Sequence, residues 1–243
     1  MQRKAVIMAG GKGTRLAPYT AIIPKPLVPL GDISILEMIL LQLKHHRITD
    51  VVLAVNHLSH LFQAYFGNGE RQGLRIDYSL ESHPLGTAGP LGAVLDSMSP
   101  DFFLLNGDLL TNMDFAGMYA AHCRNKADAT IAVHERELKS DFGVIDMDED
   151  GLLVGYREKP SYRHFVSMGC YVLSREAVKP FVAADTYLDM PDLMRLMMDA
   201  QKKVYCNKAD CVWLDIGRPE DYAQAQELFA KQPELFLPER LTP

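Results

Sequence analysis

The sequence predicts an α/β fold, a mixed and mainly parallel sheet flanked by helices, with a smaller antiparallel region. Three observations carry this. Short continuous apolar runs, Val51-Val52-Leu53-Ala54-Val55 and Phe102-Phe103-Leu104-Leu105, read as parallel strands buried on both faces. Segments with helical apolar spacing alternate with them. Beyond His134 that alternation gives way to close-set strand segments separated by Asp, Gly and Pro turns.

In order, the chain opens with a strand over 4–9 and a helix from Ile35 to about His46, whose Leu36, Ile39, Leu40 and Leu43 share one face. The strand at Asp50 to Val55 follows. A helix from Ser59 to Phe66 is ended by Gly67-Asn68-Gly69, and Arg75 to Leu80 forms the next strand. A helix over Gly89 to Met98 precedes the strand Phe102 to Asn106, and one over Met113 to Lys126 precedes the strand Ala129 to His134. The antiparallel candidates are Gly143 to Met147, Leu152 to Tyr156 and Val166 to Leu173. Helices at Leu188 to Gln201 and Pro219 to Lys231 flank strand-like Val204 to Asn207 and Cys211 to Leu214.

The 243 residues suit one domain over 1–231 with a Pro-rich tail over 232–243. With 48% hydrophobic and 23% charged residues the composition is globular, and a net charge of −6 argues against nucleic acid or an anionic membrane as partner. No apolar run approaches the ~20 residues of a membrane span. Met1 to Lys4 lead into a core strand without a signal peptide, so a cytoplasmic location is expected. Cys123, Cys170, Cys206 and Cys211 have no CxxC spacing and read as buried thiols. Met190, Met194, Met197 and Met198 read as core filler, and His45, His46, His57, His60, His122 and His134 as surface or helix-end residues.

Residues 8 to 31 carry the chemistry. Gly10, Gly11 and Gly13 let the backbone behind the first strand turn its N–H groups toward an anion. Arg15 adds a planar fork for phosphate oxygens, and Lys25, between Pro24 and Pro26, adds a point charge on a stiffened stem. A P-loop needs a different spacing, and a dinucleotide fingerprint needs a glycine where Leu16 stands. Two carboxylates end apolar strands, Asp108 in Asn106-Gly107-Asp108 and Asp215 in Trp213-Leu214-Asp215. Carboxyl ends of strands are where open α/β sheets bind ligands, and two carboxylates with substrate phosphate oxygens suit Mg²⁺.

The run G-G-x-G-T-R-L-x-P-x-T followed by P-K-P resembles the signature loop of the sugar-1-phosphate nucleotidylyltransferases, with the mannose- and heptose-1-phosphate guanylyltransferases nearest. The resemblance extends over about residues 4 to 230 and implies a Rossmann-like sheet with a smaller antiparallel sugar-binding region. It implies a nucleotide site of Ala9, Gly10, Gly11, Gly13, Thr14, Arg15, Glu81, Pro84, Gly86 and Thr87, and metal ligands Asp108 and Asp215. It further implies a sugar-phosphate pocket of Gly143, Glu158, Lys159, Ser167 and Gly169. Relatives using UTP or dTTP commonly carry glutamine where this chain has Glu81. A carboxylate accepts only, and guanine offers two adjacent donors, so Glu81 favours GTP. Ser167-Met168-Gly169 departs from the polar step of many relatives and leaves the sugar open.

The implied partners are a nucleoside triphosphate and a sugar-1-phosphate, with a homo-oligomer as an open possibility. In the implied reaction a sugar-1-phosphate oxygen attacks the α-phosphorus in line, aided by Arg15, Lys25, Asp108, Lys159 and Asp215, and pyrophosphate leaves. No general base is needed, because a phosphate monoester with a second pKa near ~6 is already mostly dianionic. Alternatives are a glucose-1-phosphate uridylyl- or thymidylyltransferase and a non-catalytic nucleotide-sugar-binding subunit; a dehydrogenase is weaker.

Overall fold

The computed structural model describes residues 3–237 apart from 12 and 57. In chain order the elements are β1 (Arg3–Met8), β2 (Pro29–Leu30), β3 (Ile33–Ser34), α1 (Ile35–His45), β4 (Ile48–Val55), α2 (Ser59–Phe66) and β5 (Arg75–Leu80). Then come α3 (Leu91–Val94), β6 (Asp101–Asn106), β7 (Leu109–Thr111), α4 (Phe115–Asn125), β8 (Ala129–Lys139), β9 (Val144–Met147), β10 (Leu153–Arg157) and β11 (Ser161–Ser174). The last are α5 (Arg175–Val178), α6 (Met190–Asp199), β12 (Val204–Lys208), β13 (Trp213–Asp215) and α7 (Pro219–Lys231).

Seven strands form the main sheet in the order β12-β8-β11-β6-β1-β4-β5, and β9–β10, β7–β13 and β2–β3 form small two-stranded antiparallel sheets. β1 lies parallel to both β4 and β6, and β5 parallel to β4. The chain therefore steps from β1 to β4 and β5 on one side, then to β6 on the other. The crevice beyond the carboxyl end of β1 is the point where strand order reverses, the place open α/β sheets use for ligands.

Ala5, Val6 and Ile7 are all fully buried, because two cores sandwich the sheet. Ala5 and Ile7 face the layer holding α1, while Val6 faces the layer holding α3 and α6. Period-two alternation with apolar residues at every position is what a doubly covered strand requires. Ser34 caps α1 by accepting the Glu37 N–H at 3.1 Å, and Asp114 caps α4 by accepting the Gly117 N–H at 2.9 Å.

Several expectations need correction. The helix over 89–98 shrinks to Leu91–Val94 and a 3-10 turn at Leu95–Ser97. Gly89 and Gly92 instead sit tight against the carbonyls of Thr186 and Ala183, where no side chain fits. β8 runs five residues past His134, because β11 pairs with it out to Ser161 opposite Lys139. Of the four cysteines only Cys170 is buried; Cys123 and Cys206 are exposed. Met198 points to solvent at 63% exposure, while Met190, Met194 and Met197 pack inside. His122 is not at the surface: it is 2% exposed, with Nδ1 2.9 Å from the Thr130 hydroxyl. Burial lowers its pKa below 6.5, partly offset by Asp101. The spacing of His57 and His60 involves a residue outside those described, as do the tail positions 238–243. The tail's first residues pack against the domain: Phe236 is fully buried, and its carbonyl accepts from the Gln42 amide at 2.9 Å.

Candidate functional site

A cavity of about 410 Å³ opens at the strand reversal. Its floor is the loop after β1. Gly13 takes φ 62°, and a β-carbon there would lie 2.9 Å from that of Lys25, so glycine is needed both for the turn and for the close approach. The Thr20 hydroxyl donates to the Gly13 carbonyl at 2.8 Å and fixes the loop, and a short 3-10 turn over Thr14–Leu16 carries Arg15 outward. Ala9, Gly10, Gly11, Gly13, Thr14 and Arg15 all line this cavity.

The opposite wall follows β5. Glu81, Pro84, Gly86 and Thr87 line the same cavity. Glu81 is half-buried: its Oε1 would lie 2.8 Å from a β-carbon on Gly10, and Oε2 accepts the Leu85 N–H at 3.3 Å. Burial raises its pKa, against the pull of the Leu85 N–H and His83. Gly86 takes φ 79° beneath the Leu188 carbonyl. The Thr87 hydroxyl is tied to the start of α6, donating to Asp189 at 3.1 Å and accepting the Met190 N–H at 2.8 Å.

At the far end stand Lys25 and Asp108, with Asp215 beside them on the wall of a neighbouring cavity. Lys25, buried at the start of the 3-10 turn Lys25–Leu27, places Nζ 2.5 Å from Asp108 Oδ2. Asp215 is brought alongside by the β7–β13 ladder, in which it pairs with Leu109 while the Ile216 N–H donates to the Asp108 carbonyl at 3.2 Å. Asp215 opens to the cleft, yet the protein around it raises its pKa, and Asp108 raises it further, against Lys25 and Arg15. Asp108 Oδ1 is buried without a partner. Two crowded carboxylates with an unsatisfied oxygen fit a divalent cation completed by substrate oxygens. Among the described residues no cluster of three or more acids, histidines or cysteines offers a fuller cage.

The residues expected to line a sugar-phosphate pocket fall into two groups. Ser167 and Gly169 sit in a bulge of β11, where the register to β8 slips between Ser167 and Tyr171. Gly169 takes φ 73° and presses on Asn106 of the first cavity, and the Ser167 hydroxyl lies 2.9 Å from that of Tyr171. Gly143 and Glu158 lie together instead on the β9–β10 hairpin, where Tyr156 donates to Glu158 at 3.1 Å. Lys159 takes φ 43° in the turn into β11. Neither Glu158 nor Lys159 lines the cavity at β1.

A second cavity of about 320 Å³ shares Arg15 with the first and is also lined by Arg136, Trp213, Asp215, Arg218 and Asp221. Sequence reasoning missed both of the added arginines. Arg136 lies in a charged run that reads as solvated surface. Arg218 carried a signal: it occupies the N-cap position of α7 without a side-chain capping bond, where the helix dipole disfavours a cation.

The family model for nucleotidyl transferases matches residues 4–232. Mannose-1-phosphate guanylyltransferase of Mycobacterium tuberculosis is 32% identical over 229 residues, covering 92% of this chain and 63% of that protein. UTP–glucose-1-phosphate uridylyltransferase of Synechocystis is also 32% identical, over 91% of this chain and 62% of its own length. The chain thus spans somewhat less than two thirds of these relatives. Among solved structures, a putative glucose-1-phosphate thymidylyltransferase from Bacillus anthracis superposes with a TM-score of 0.76 at 20% identity, covering 99% of this chain and 98% of that one. HddC from Yersinia pseudotuberculosis gives 0.72 at 22% identity, covering 94% of this chain and all of that one. Both speak for the fold alone. Among the described residues no helix is long and apolar enough to cross a membrane.

Proposed function

The chain belongs to the nucleotidyl transferase family, and on that premise we propose that it joins a nucleoside triphosphate to a sugar-1-phosphate, releasing pyrophosphate. The observation that carries this is the meeting of Lys25, Asp108 and Asp215 at the mouth of a glycine loop, with one Asp108 oxygen buried and unpartnered. No side chain need abstract a proton, since the attacking phosphate is already mostly ionised near neutrality. The loop N–H groups and Arg15 hold the triphosphate and the leaving pyrophosphate. Lys25 meets charge developing on the α-phosphate, and alignment does the rest. Asp108 and Asp215 are the residues that would hold Mg²⁺, which when bound supplies charge neutralisation to the phosphates.

GTP is the favoured nucleotide, because Glu81 is an acceptor drawn into the cavity wall, where it suits the paired donors of guanine. Mannose- or heptose-1-phosphate is the favoured acceptor, in keeping with the guanylyltransferases among the relatives. Glu158 and Lys159 are its sugar-side groups in this reading; the left-handed backbone of Lys159 supports a role, since strain in a non-glycine residue gathers at functional turns. A uridylyltransferase acting on glucose-1-phosphate is the second reading, favoured by the equal identity to the Synechocystis enzyme.

Pyrophosphate release with Mg²⁺, across GTP, UTP, dTTP, CTP and ATP against mannose-, heptose-, glucose- and glucosamine-1-phosphates, tests both. GTP-selective turnover abolished by Asp108→Asn is expected. Selectivity for UTP would overturn the Glu81 assignment and keep the reaction, whereas silence across the grid would overturn the reaction.

A further inference from the structure

Three guanidiniums face the second cavity, those of Arg15, Arg136 and Arg218, against two carboxylates, Asp215 and Asp221. The arginines that pair with acids within 4.0 Å lie elsewhere, at Arg75, Arg157, Arg163, Arg175 and Arg195. Among the described residues none of the three in this cavity does so. Arg136 makes a cation–π contact, its guanidinium carbon 5.1 Å from the centroid of the Trp213 ring, a contact that leaves its N–H donors uncommitted. Trp213 is itself fixed, donating its indole N–H to the Met168 carbonyl at 3.1 Å. Arg218 makes no capping bond with its side chain, though it stands at the start of a helix whose dipole repels it. Three exposed guanidiniums that line one cavity without an ion pair there offer forked donors to an incoming anion.

We propose that Arg136 and Arg218, with Arg15, form a seat for a phosphate group other than the one being substituted. The inference rests on the reaction proposed above and adds residues to it. Two phosphates of that reaction share the required chemistry. One is the β,γ-pyrophosphate, which can reach the cavity past Arg15, the side chain common to both cavities. The other is the phosphate of the sugar acceptor, which approaches from the β11 side, where Val166 lines the same space. Either would meet forked donors suited to two oxygens at once, a geometry lysine cannot supply.

The test measures binding rather than turnover. Titration calorimetry is run on the full chain with pyrophosphate, mannose 1-phosphate, glucose 1-phosphate and free mannose, for the parent, Arg136→Gln, Arg218→Gln and Arg218→Lys. Each glutamine variant is expected to weaken one class of phosphate roughly tenfold or more, the scale of a lost charge-assisted hydrogen bond. Free mannose should behave as in the parent, and Arg218→Lys should fall between. Weakened pyrophosphate alone assigns the seat to the leaving group; weakened sugar phosphates alone assign it to the acceptor. Parental affinity for every phosphate in both glutamine variants, with circular dichroism showing intact folds, would overturn the seat, as would a parent that binds none of them. Turnover with normal phosphate binding in the variants would remove the seat and keep the reaction. Arginine-dependent phosphate binding without turnover would do the reverse.

Discussion

β8 and β11 each change character halfway along, and the two halves behave as different materials. Ala129 to Val133 and Met168 to Leu173 lie in the sheet and are mostly buried, whereas Glu135 to Lys139 and Ser161 to Phe165 project beyond it and are exposed. The projecting halves lead into the β9–β10 hairpin, where Leu153 is 64% and Phe142 79% exposed. The inner halves hold the bulge, Gly169 and the neighbours of Asp108; the outer halves lead to Gly143, Glu158 and Lys159, at the β9–β10 hairpin and the turn into β11. One pair of strands thus joins a region fixed by packing to one fixed mainly by its own ladder.

The largest contrast is in stability. Phe103, fully buried between β1 and β11, should cost about 3–5 kcal/mol on change to alanine, read by urea denaturation. At the other extreme, Leu153→Ala on the exposed hairpin should fall within about 0.5 kcal/mol of the parent. A loss near that of Phe103→Ala would mean that the hairpin is covered in solution and would break the comparison.

Catalytic effects come next. Lys25→Ala should lower kcat by roughly 10²–10³-fold, the scale for a preorganised charge aimed at the transition state. Near-normal turnover would remove Lys25 from the chemistry. For Glu81→Gln the expected loss is about 1.5–3 kcal/mol of preference for GTP over UTP, read as a ratio of kcat/KM values, because the amide presents a donor where guanine also has one. An unchanged ratio would leave base choice to the backbone.

The smallest expected effect concerns pH. His122, on α4, packs against the buried half of β8, and its pKa is held below 6.5 by burial. The unfolded chain therefore takes up this proton first as pH falls, so stability declines below about pH 6.5 and levels off beneath the folded pKa. His122→Asn should flatten that part of the curve in thermal melts across pH 5 to 7.5. A parallel curve would assign the slope to other groups.

Much of the sheet side was legible because its signals are local. Ala5 to Met8, Val51 to Val55 and Phe102 to Leu105 are apolar at every position, which only a doubly buried strand tolerates, and the glycine loop carries its spacing in consecutive residues. The ladder joining Asp108 to Asp215 was not legible, since β7 is three residues long and its partner lies about a hundred residues away in the chain. The outer strands misled for another reason. Charged residues such as Glu135, Arg136 and Glu137 look like the end of a strand by composition, but an exposed antiparallel pair needs no apolar face to continue hydrogen bonding. His122 hid because a histidine near a helix end usually meets water, and only the fold supplies Thr130.

Gln42 gives a consequence for how the chain is completed during synthesis. Its buried amide donates to the Thr111 carbonyl at 2.5 Å, in the short strand beyond Asp108, and to the Phe236 carbonyl at 2.9 Å, 194 residues further along the chain. Until Phe236 has emerged from the ribosome, one of those two N–H groups has no permanent acceptor and the pocket for the phenyl ring stands open. The glycine loop near the start of the chain, whose Gly13 carbonyl is held by the Thr20 hydroxyl, draws on residues close in the sequence. Through that one amide, one of the last described residues is tied to the short strand that follows Asp108.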